Sequence, residues 1–384
     1  MYTVLEWYAQ VYEKLLAVPV VKGIKSEEEK FAGALYTTTV EAFIPEAGRG
    51  VQGATSHCLG QNFAKMFNIQ FEDKQGSKSF VWQNSWGITT RTIGVALMVH
   101  GDDNGCNWAP YVAPTQLVIM PCGLTKKIED STRLSIETAC KDLLKLLKKT
   151  KFEPGMFKDQ NPGLIAVKCR KLRVVLDDRE NVTAGYKFNH WELLGTPIRI
   201  EIGPRDIENN SCTAVIRCNR SKHVLKLPSH NPNFMQELAD LMETTHELLY
   251  TSALEKRNKQ CQQVVEWKLV LKALDNNCTV LIPWCKTTEC ENDMKKRTAE
   301  HGELELEKFK AKMAKRAAKK SKKNADKQVE EQETVEDEEE QVAMPVSMGM
   351  KSLCMPLEQP KEELKNCVGC DKPALIWGLF GRSY

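Results

Sequence analysis

Between residues 112 and 225, short apolar runs of strand length alternate with segments of helical period. No other feature of the chain limits its fold as tightly. LVIMPCG (117–123) reads as a buried strand, and residues 131–149 bring Ile136, Cys140, Leu143, Leu144 and Leu147 onto one helical face. Apolar strands recur at Leu172–Leu176, Ile198–Ile202 and Ala214–Arg217, with a helix over 185–194 closed by Gly195 and Pro197. Strands separated by helices predict an α/β layer with right-handed crossovers.

The 384 residues, 42% of them apolar, suffice for two or three domains with packed cores. A net charge of +3 permits a nucleic-acid partner without arguing for one. Fourteen cysteines are scattered through the chain with no secretory signal ahead of them. The opening MYTVLEWYAQVYEKLLAV puts Val4, Tyr8, Val11 and Leu15 on one face and stops before Pro19, as an amphipathic core helix does. No apolar run approaches the roughly 18 residues of a membrane span. The expectation is a cytoplasmic protein without membrane contact, its cysteines free thiols or metal ligands.

Elsewhere, β-rich pieces are expected at Leu35–Ile44 and Phe80–Trp82. A long helix from Pro232 carries Met235, Leu238, Leu241, Met242, Leu248 and Leu249, and an α+β piece follows from near Glu266. An insert at about 296–342 stands apart in composition. Its first half is rich in Ala, Glu, Lys and Met, with a thin apolar stripe at Leu306, Phe309, Met313 and Ala317; VEEQETVEDEEE follows and should be solvated and disordered. The Lys-rich arm fits a solvated charged helix, one collapsed on its acidic tail, or one touching RNA phosphates.

Three constellations carry chemistry. In WQNSWGITTRTIGVALMVHG (82–101) a polar strand end feeds an apolar helix through Thr89, Thr90, Arg91 and Thr92. Helix amides and a guanidinium fork suit phosphate there, although a purely structural turn has the same pattern. GATSHCLGQNFAKMF (53–67), preceded by Gln52, sets small residues beside Thr55, Ser56 and His57 and could bring backbone close to a ligand. GYKFNHWELLGTPIRIEIGPRD (185–206) holds an aromatic, a carboxylate and cations, the groups that read unstacked bases; Phe188 and Trp191 could equally be core residues. Two cysteine pairs, Cys285-x4-Cys290 and Cys367-x2-Cys370, have spacing suited to one tetrahedral Zn²⁺.

Taken together these strings resemble prolyl-tRNA synthetases of the archaeal and eukaryotic type. Residues 82–101 are similar to the third motif of class II aminoacyl-tRNA synthetases, 53–67 to the amino-acid pocket strand, and Phe31-Ala32-Gly33 with TTTVEAF (37–43) to the segment before it. The C-terminal GLFGRSY is likewise shared. The resemblance implies α/β and α+β multidomain architecture: a partial class II antiparallel catalytic sheet over 1–111, an α/β anticodon-binding domain over 112–225, and a zinc-bearing α+β C-terminal domain over 226–384.

It further implies a proline--tRNA ligase that uses ATP with Mg²⁺, L-proline and tRNA(Pro). ATP would be met by Gln52, Thr89 and the catalytic Arg91, proline by Phe31, Thr55 and His57, and the anticodon by Phe188, Glu192, Arg199 and Lys222, with Arg220 competing for the last place. A structural Zn²⁺ would be held by Cys285, Cys290, Cys367 and Cys370. Family members are homodimers, but the motif that forms their dimer interface, and the motif that supplies a second arginine to ATP, have no counterpart in these residues. An incomplete catalytic unit, or a non-catalytic tRNA-binding paralogue, is therefore expected. Gly33-Ala34-Leu35 stands where the family has Gly-Gly-Asp, and the final cysteine pair is CxxC where relatives often have CxC.

Overall fold

The computed structural model describes residues 1–125, 128–152, 170–326 and 348–384. It divides into two compact units, Met1–Lys22 with Gly33–Glu46 and Val51–Lys259, and Gly23–Ala32 with Ala47–Gly50 and Gln260–Tyr384. The acidic run expected to be disordered lies outside the described residues.

The first unit begins with α1 (Tyr2–Gln10), which passes into a π-helical turn (Val11–Leu15) closed by Leu16 N–H to Val11 C=O at 3.2 Å. Along this stretch Val4, Leu5, Tyr8, Ala9, Tyr12 and Leu16 are buried. The expected face through Val11 and Leu15 is thus displaced by one residue. Tyr12 can be buried completely because its hydroxyl has two partners inside. After β1 (Val20–Ile24), whose last two residues belong to the second unit, come β2 (Tyr36–Ile44) and β3 (Arg49–Gly60). A short helix α2 (Asn62–Met66) and the antiparallel ribbon of β4 (Gln70–Glu72) and β5 (Lys78–Phe80) lead to β6 (Gln83–Gly87). Of the strand expected at Phe80–Trp82, Phe80 ends β5 and Val81 and Trp82 fall in the gap before β6, where Trp82 is exposed. In space β3 lies between β2 and β6. α3 (Arg91–His100) follows β6 after a three-residue turn.

The alternating region forms the five-stranded sheet ordered β10-β7-β11-β12-β13. Its elements are β7 (Leu117–Pro121), α4 (Asp130–Lys149), a two-residue ribbon of β8 (Lys151–Phe152) with β9 (Arg170–Lys171), β10 (Val174–Leu176), α5 (Ala184–Leu193), β11 (Ile198–Ile202), α6 (Pro204–Glu208), β12 (Ser211–Ile216) and β13 (Lys222–Lys226). β7 pairs in parallel with both β10 and β11, and the two remaining pairings are antiparallel. Parallel strands need long crossovers, which α4 and α5 supply. Every residue of β7 is buried, as expected of a strand covered on both faces. The long helix α7 (Phe234–Lys259) lays Phe234, Leu238, Leu241 and Met242 into the same core, while Leu248 of the expected apolar set is exposed.

The second unit contains β14 (Cys261–Gln263), α8 (Trp267–Asp275), β15 (Thr279–Trp284), α9 (Thr288–Asp326), β16 (Lys351–Pro356) and β17 (Ile376–Gly381). β14 is parallel to β15; β15 and β16 flank β17 in antiparallel register, and Gly23 and Ile24 add to the far edge of β16. Trp284 and Phe380 meet edge-on at 5.2 Å in its core. The compositional insert is not a separate element at its start: α9 runs through residue 296 from Thr288. Its stripe is not a buried face, since Leu306 and Phe309 are half-buried and Met313 is exposed. Among the described residues no helix is long and apolar enough to cross a membrane.

Candidate functional site

Strands β3 and β6 are paired antiparallel with Thr55 opposite Gly87 and His57 opposite Ser85. The hydroxyl-rich strand is thereby hydrogen-bonded to the strand that leads to Arg91. The threonines fix His57: Thr37 Oγ1 lies 2.9 Å from its Nδ1 and Thr55 Oγ1 lies 3.2 Å from its Nε2. Burial lowers the His57 pKa, which favours a neutral ring able to accept at one nitrogen and donate at the other. Thr89 and Arg91 are exposed, and Gln52 on β3 is half-buried. Phe31 belongs to the second unit and is exposed.

Two tyrosines on the N-terminal helical segment brace this arrangement. Tyr8 donates to the Thr55 carbonyl at 3.1 Å, and Tyr12 donates to the Gly53 carbonyl at 3.0 Å. The Tyr12 hydroxyl also lies 3.2 Å from Thr92 Oγ1, immediately after Arg91. A Cβ on Gly53 would sit 2.9 Å from the Tyr12 ring, so the close approach requires glycine. Thr90 caps α3 without a side-chain hydrogen bond. The Thr92 and Ile93 amides of its first turn instead donate to the Thr89 and Thr90 carbonyls at 3.1 and 3.0 Å.

The second cluster lies on the five-stranded sheet. Arg199 on β11 stacks its guanidinium 4.1 Å above the Phe188 ring of α5. It also makes ion pairs of 3.2 Å with Glu192 and 2.8 Å with Glu201. A small pocket beside it is lined in part by Trp191, Glu192, Arg199, Arg217, Arg220 and Lys222. The structure thus brings together all four residues expected for base recognition, with Phe188 as the platform of Arg199 and the other three lining the cavity. Both Arg220 and Lys222 reach it. Trp191 is half-buried: it lines this pocket, and its Nε1 donates to Asp177 at 2.8 Å. Burial pushes Asp177 up, but hydrogen bonds from Arg179 and Trp191 outweigh this and hold it at about 2.

In the sequence Arg217 is no more than the expected end of an apolar strand. It is almost fully buried, donates to the Glu192 carbonyl at 3.2 Å and grips Asp102. The signal that could have found it is a strand of apolar residues closing on an arginine, which needs a buried acceptor.

The third cluster belongs to the second unit. Cys285 and Cys290 flank the turn into α9, and Cys367 and Cys370 flank a tight loop before β17. All four sulfurs lie within 4.8 Å of one another, with Cys285–Cys370 and Cys290–Cys367 each at 3.6 Å. A tetrahedral Zn–S bond of about 2.3 Å requires sulfurs about 3.8 Å apart, so four thiolates here fit one Zn²⁺. A hydrogen bond from Cys290 draws the Cys367 thiol far below its ordinary pKa, and the Gly369 amide acts the same way. A Cβ on Gly369 would lie 2.8 Å from the Cys290 sulfur, so only glycine fits between the second pair.

Residues 116–230 match the family described as "Anticodon binding domain", and residues 267–384 match "Prolyl-tRNA synthetase, C-terminal". A putative proline--tRNA ligase of Schizosaccharomyces pombe is 42% identical over 100% of this chain and 48% of its own length. The proline--tRNA ligase of Encephalitozoon cuniculi is 39% identical over 99% of the chain and 64% of its own length.

The chain matches the C-terminal portion of prolyl-tRNA synthetases.

The cytoplasmic proline--tRNA ligase of Arabidopsis thaliana is a further relative, 39% identical over 99% of the chain and 58% of its own length. The chain spans about half to two thirds of the length of these synthetases. Within the family frame, the cation-lined pocket around Arg199 falls in the anticodon-binding match, and the cysteine cluster falls in the C-terminal one.

Proposed function

We propose that this chain acts in proline--tRNA ligation: ATP-dependent activation of L-proline to prolyl-adenylate and its transfer to tRNA(Pro), with the 384 residues forming part of the catalytic unit in the cytoplasm. On this reading residues 1–111 contribute part of a class II antiparallel sheet, 112–225 read the anticodon, and 226–384 form the C-terminal domain. Arg91 would hold the far phosphates of ATP with its Mg²⁺, beside Gln52 and Thr89. Thr55 and His57 would take proline. The four cysteines would hold a structural Zn²⁺ that ties the turn into α9 to the loop before β17. It supplies cross-linking of a small domain rather than chemistry on substrate.

The observation that supports the reading most is the grouping of Arg199, Phe188, Glu192, Arg220 and Lys222 around one pocket. An aromatic-backed guanidinium, a carboxylate and two further cations suit the Watson–Crick edges and phosphates of splayed bases. Proline anticodons share two guanines, whose N–H donors suit Glu192 and whose carbonyl oxygens suit cations. Binding of anticodon stem–loops by fluorescence anisotropy tests this. The proline loop should bind more tightly than a loop with those guanines replaced, and Arg199→Ala should abolish the preference. Equal binding of both loops by the unaltered chain would sink the anticodon assignment.

One observation favours a second reading, a non-catalytic tRNA-binding paralogue. Leu35 is exposed where the resemblance leads one to expect a carboxylate for the proline imino group. Calorimetric titration with L-proline and a non-hydrolysable prolyl-adenylate analogue separates the two, since a paralogue of that kind binds the tRNA but neither small molecule.

A further inference from the structure

The far half of α9 is unexplained by either cluster described above. The helix is rooted in the core of the second unit, where Cys290, Met294 and Thr298 are buried, Thr298 Oγ1 accepts the Met350 amide at 2.9 Å, and Arg297 stacks 3.8 Å from the Trp267 ring. From Glu303 through Lys315 no residue is buried. Lys308 pairs with Glu305 at 2.7 Å, both on the surface. Between Lys308 and Lys323 the sequence has nine lysines and arginines and no acid. At 1.5 Å per residue they occupy roughly 24 Å of helix.

Such a helix is poorly supported by its own interactions. Most helical stability comes from burying an apolar face, and among the described side chains from Lys308 to Lys315 none is buried. Like charges at i,i+4, such as Lys308 with Lys312, oppose it further. A polyanion lying along the helix would reverse the sign of that repulsion. Its apolar residues are too few and too scattered for an interfacial membrane helix, which needs a broad hydrophobic face.

We propose that α9 from Lys308 onward is an arm that binds the phosphate backbone of tRNA without regard to sequence, separately from the anticodon pocket. The choice of RNA as the polyanion rests on the function proposed above; the arm's electrostatics do not. Lysines on a helix act as point charges toward phosphate, and each contact releases a counterion.

The test measures binding of the full chain to unfractionated tRNA across a KCl series, against a variant combining Lys308→Gln, Lys310→Gln, Lys312→Gln and Lys315→Gln. Glutamine keeps helix propensity, and far-UV circular dichroism checks that α9 persists. The variant should show a shallower dependence of log affinity on log salt, by roughly one unit for each lysine that meets a phosphate. The loss should be the same for tRNAs of any anticodon, so failure of the anticodon assignment would leave this result standing. Identical slopes overturn the proposal. So does a loss confined to proline tRNA, or RNA binding by α9 that appears only once the carboxylates from Glu330 to Glu340 are replaced by amides. Tighter binding to phosphatidylserine vesicles than to tRNA also overturns it.

Discussion

Arg217 holds Asp102 through two nearly parallel contacts, Nη1 to Oδ2 at 2.8 Å and Nη2 to Oδ1 at 2.7 Å. The two residues are 115 positions apart. One lies in the turn directly after β12 of the five-stranded sheet, and the other in the turn after α3. The pair therefore joins the helix that starts at Arg91 to the pocket that holds Arg199, within one unit.

Arg217→Met should destabilise the first unit by about 2 kcal/mol, the range of a hydrogen bond to a charged group with a discount for the partial exposure of Asp102. Urea midpoints measure it. Adding Asp102→Asn to the variant should cost little more, because the aspartate has already lost its partner. A fully additive double variant would show that the two residues act independently.

His100 and His246 make the first unit sensitive to acid. Burial holds each at about 4 in the folded chain, their rings hydrogen-bonded to the Leu16 and Glu13 carbonyls at 2.9 and 3.0 Å. The unfolded chain takes up these protons near pH 6.5 and the folded chain does not. Stability is therefore present above about pH 6.5 and falls as pH drops toward 4, by about 1.4 kcal/mol per unit for each histidine. Denaturation midpoints at pH 7, 6 and 5 should fall in that order. A His246→Gln variant should show a smaller fall, and an unchanged pH dependence would remove His246 as a contributor.

Proline-dependent exchange of pyrophosphate into ATP should be slight or absent for residues 1–384 alone. On the proposed reading Arg91 supplies only part of the charge around ATP, and attack on the α-phosphorus needs charge stabilisation from more than one side. Robust exchange by the purified chain would contradict the reading of a partial site.

Elemental analysis should find about one zinc per chain, because the spacing of the four sulfurs suits a single tetrahedral ion. Cys285→Ser combined with Cys370→Ser should lose it and lower the unfolding temperature of the second unit. Full metal content in that double variant would refute these ligands.

The parts legible in the sequence are those written in local pattern. The run 117–121 and the helix around Ile136, Cys140 and Leu143 announce themselves by period, and the cysteine pairs by spacing. What escaped is set by tertiary contact. The N-terminal face shifts to Tyr12 and Leu16 because a π-turn takes one residue more than an α-turn, which no periodicity count anticipates. The bond between Arg217 and Asp102 joins distant segments and has no local trace. α9 crosses the boundary expected at residue 296 because Ala, Lys and Glu favour helix on both sides of it, so composition changes while conformation does not. Of the candidate site residues, Arg199 and Glu192 were visible as chemistry, but not as a pair already neutralising each other.

One phenol also has a bearing on inheritance. Tyr12 touches Gly53 on one strand and Thr92 on a helix, so the space at position 12, the missing Cβ at 53 and the hydroxyl at 92 are terms of a single constraint. Substituted singly, each leaves a clash or a stranded polar group. Variation here should travel in concert, and a library that randomises these three positions together should recover folded combinations that one-at-a-time scanning discards.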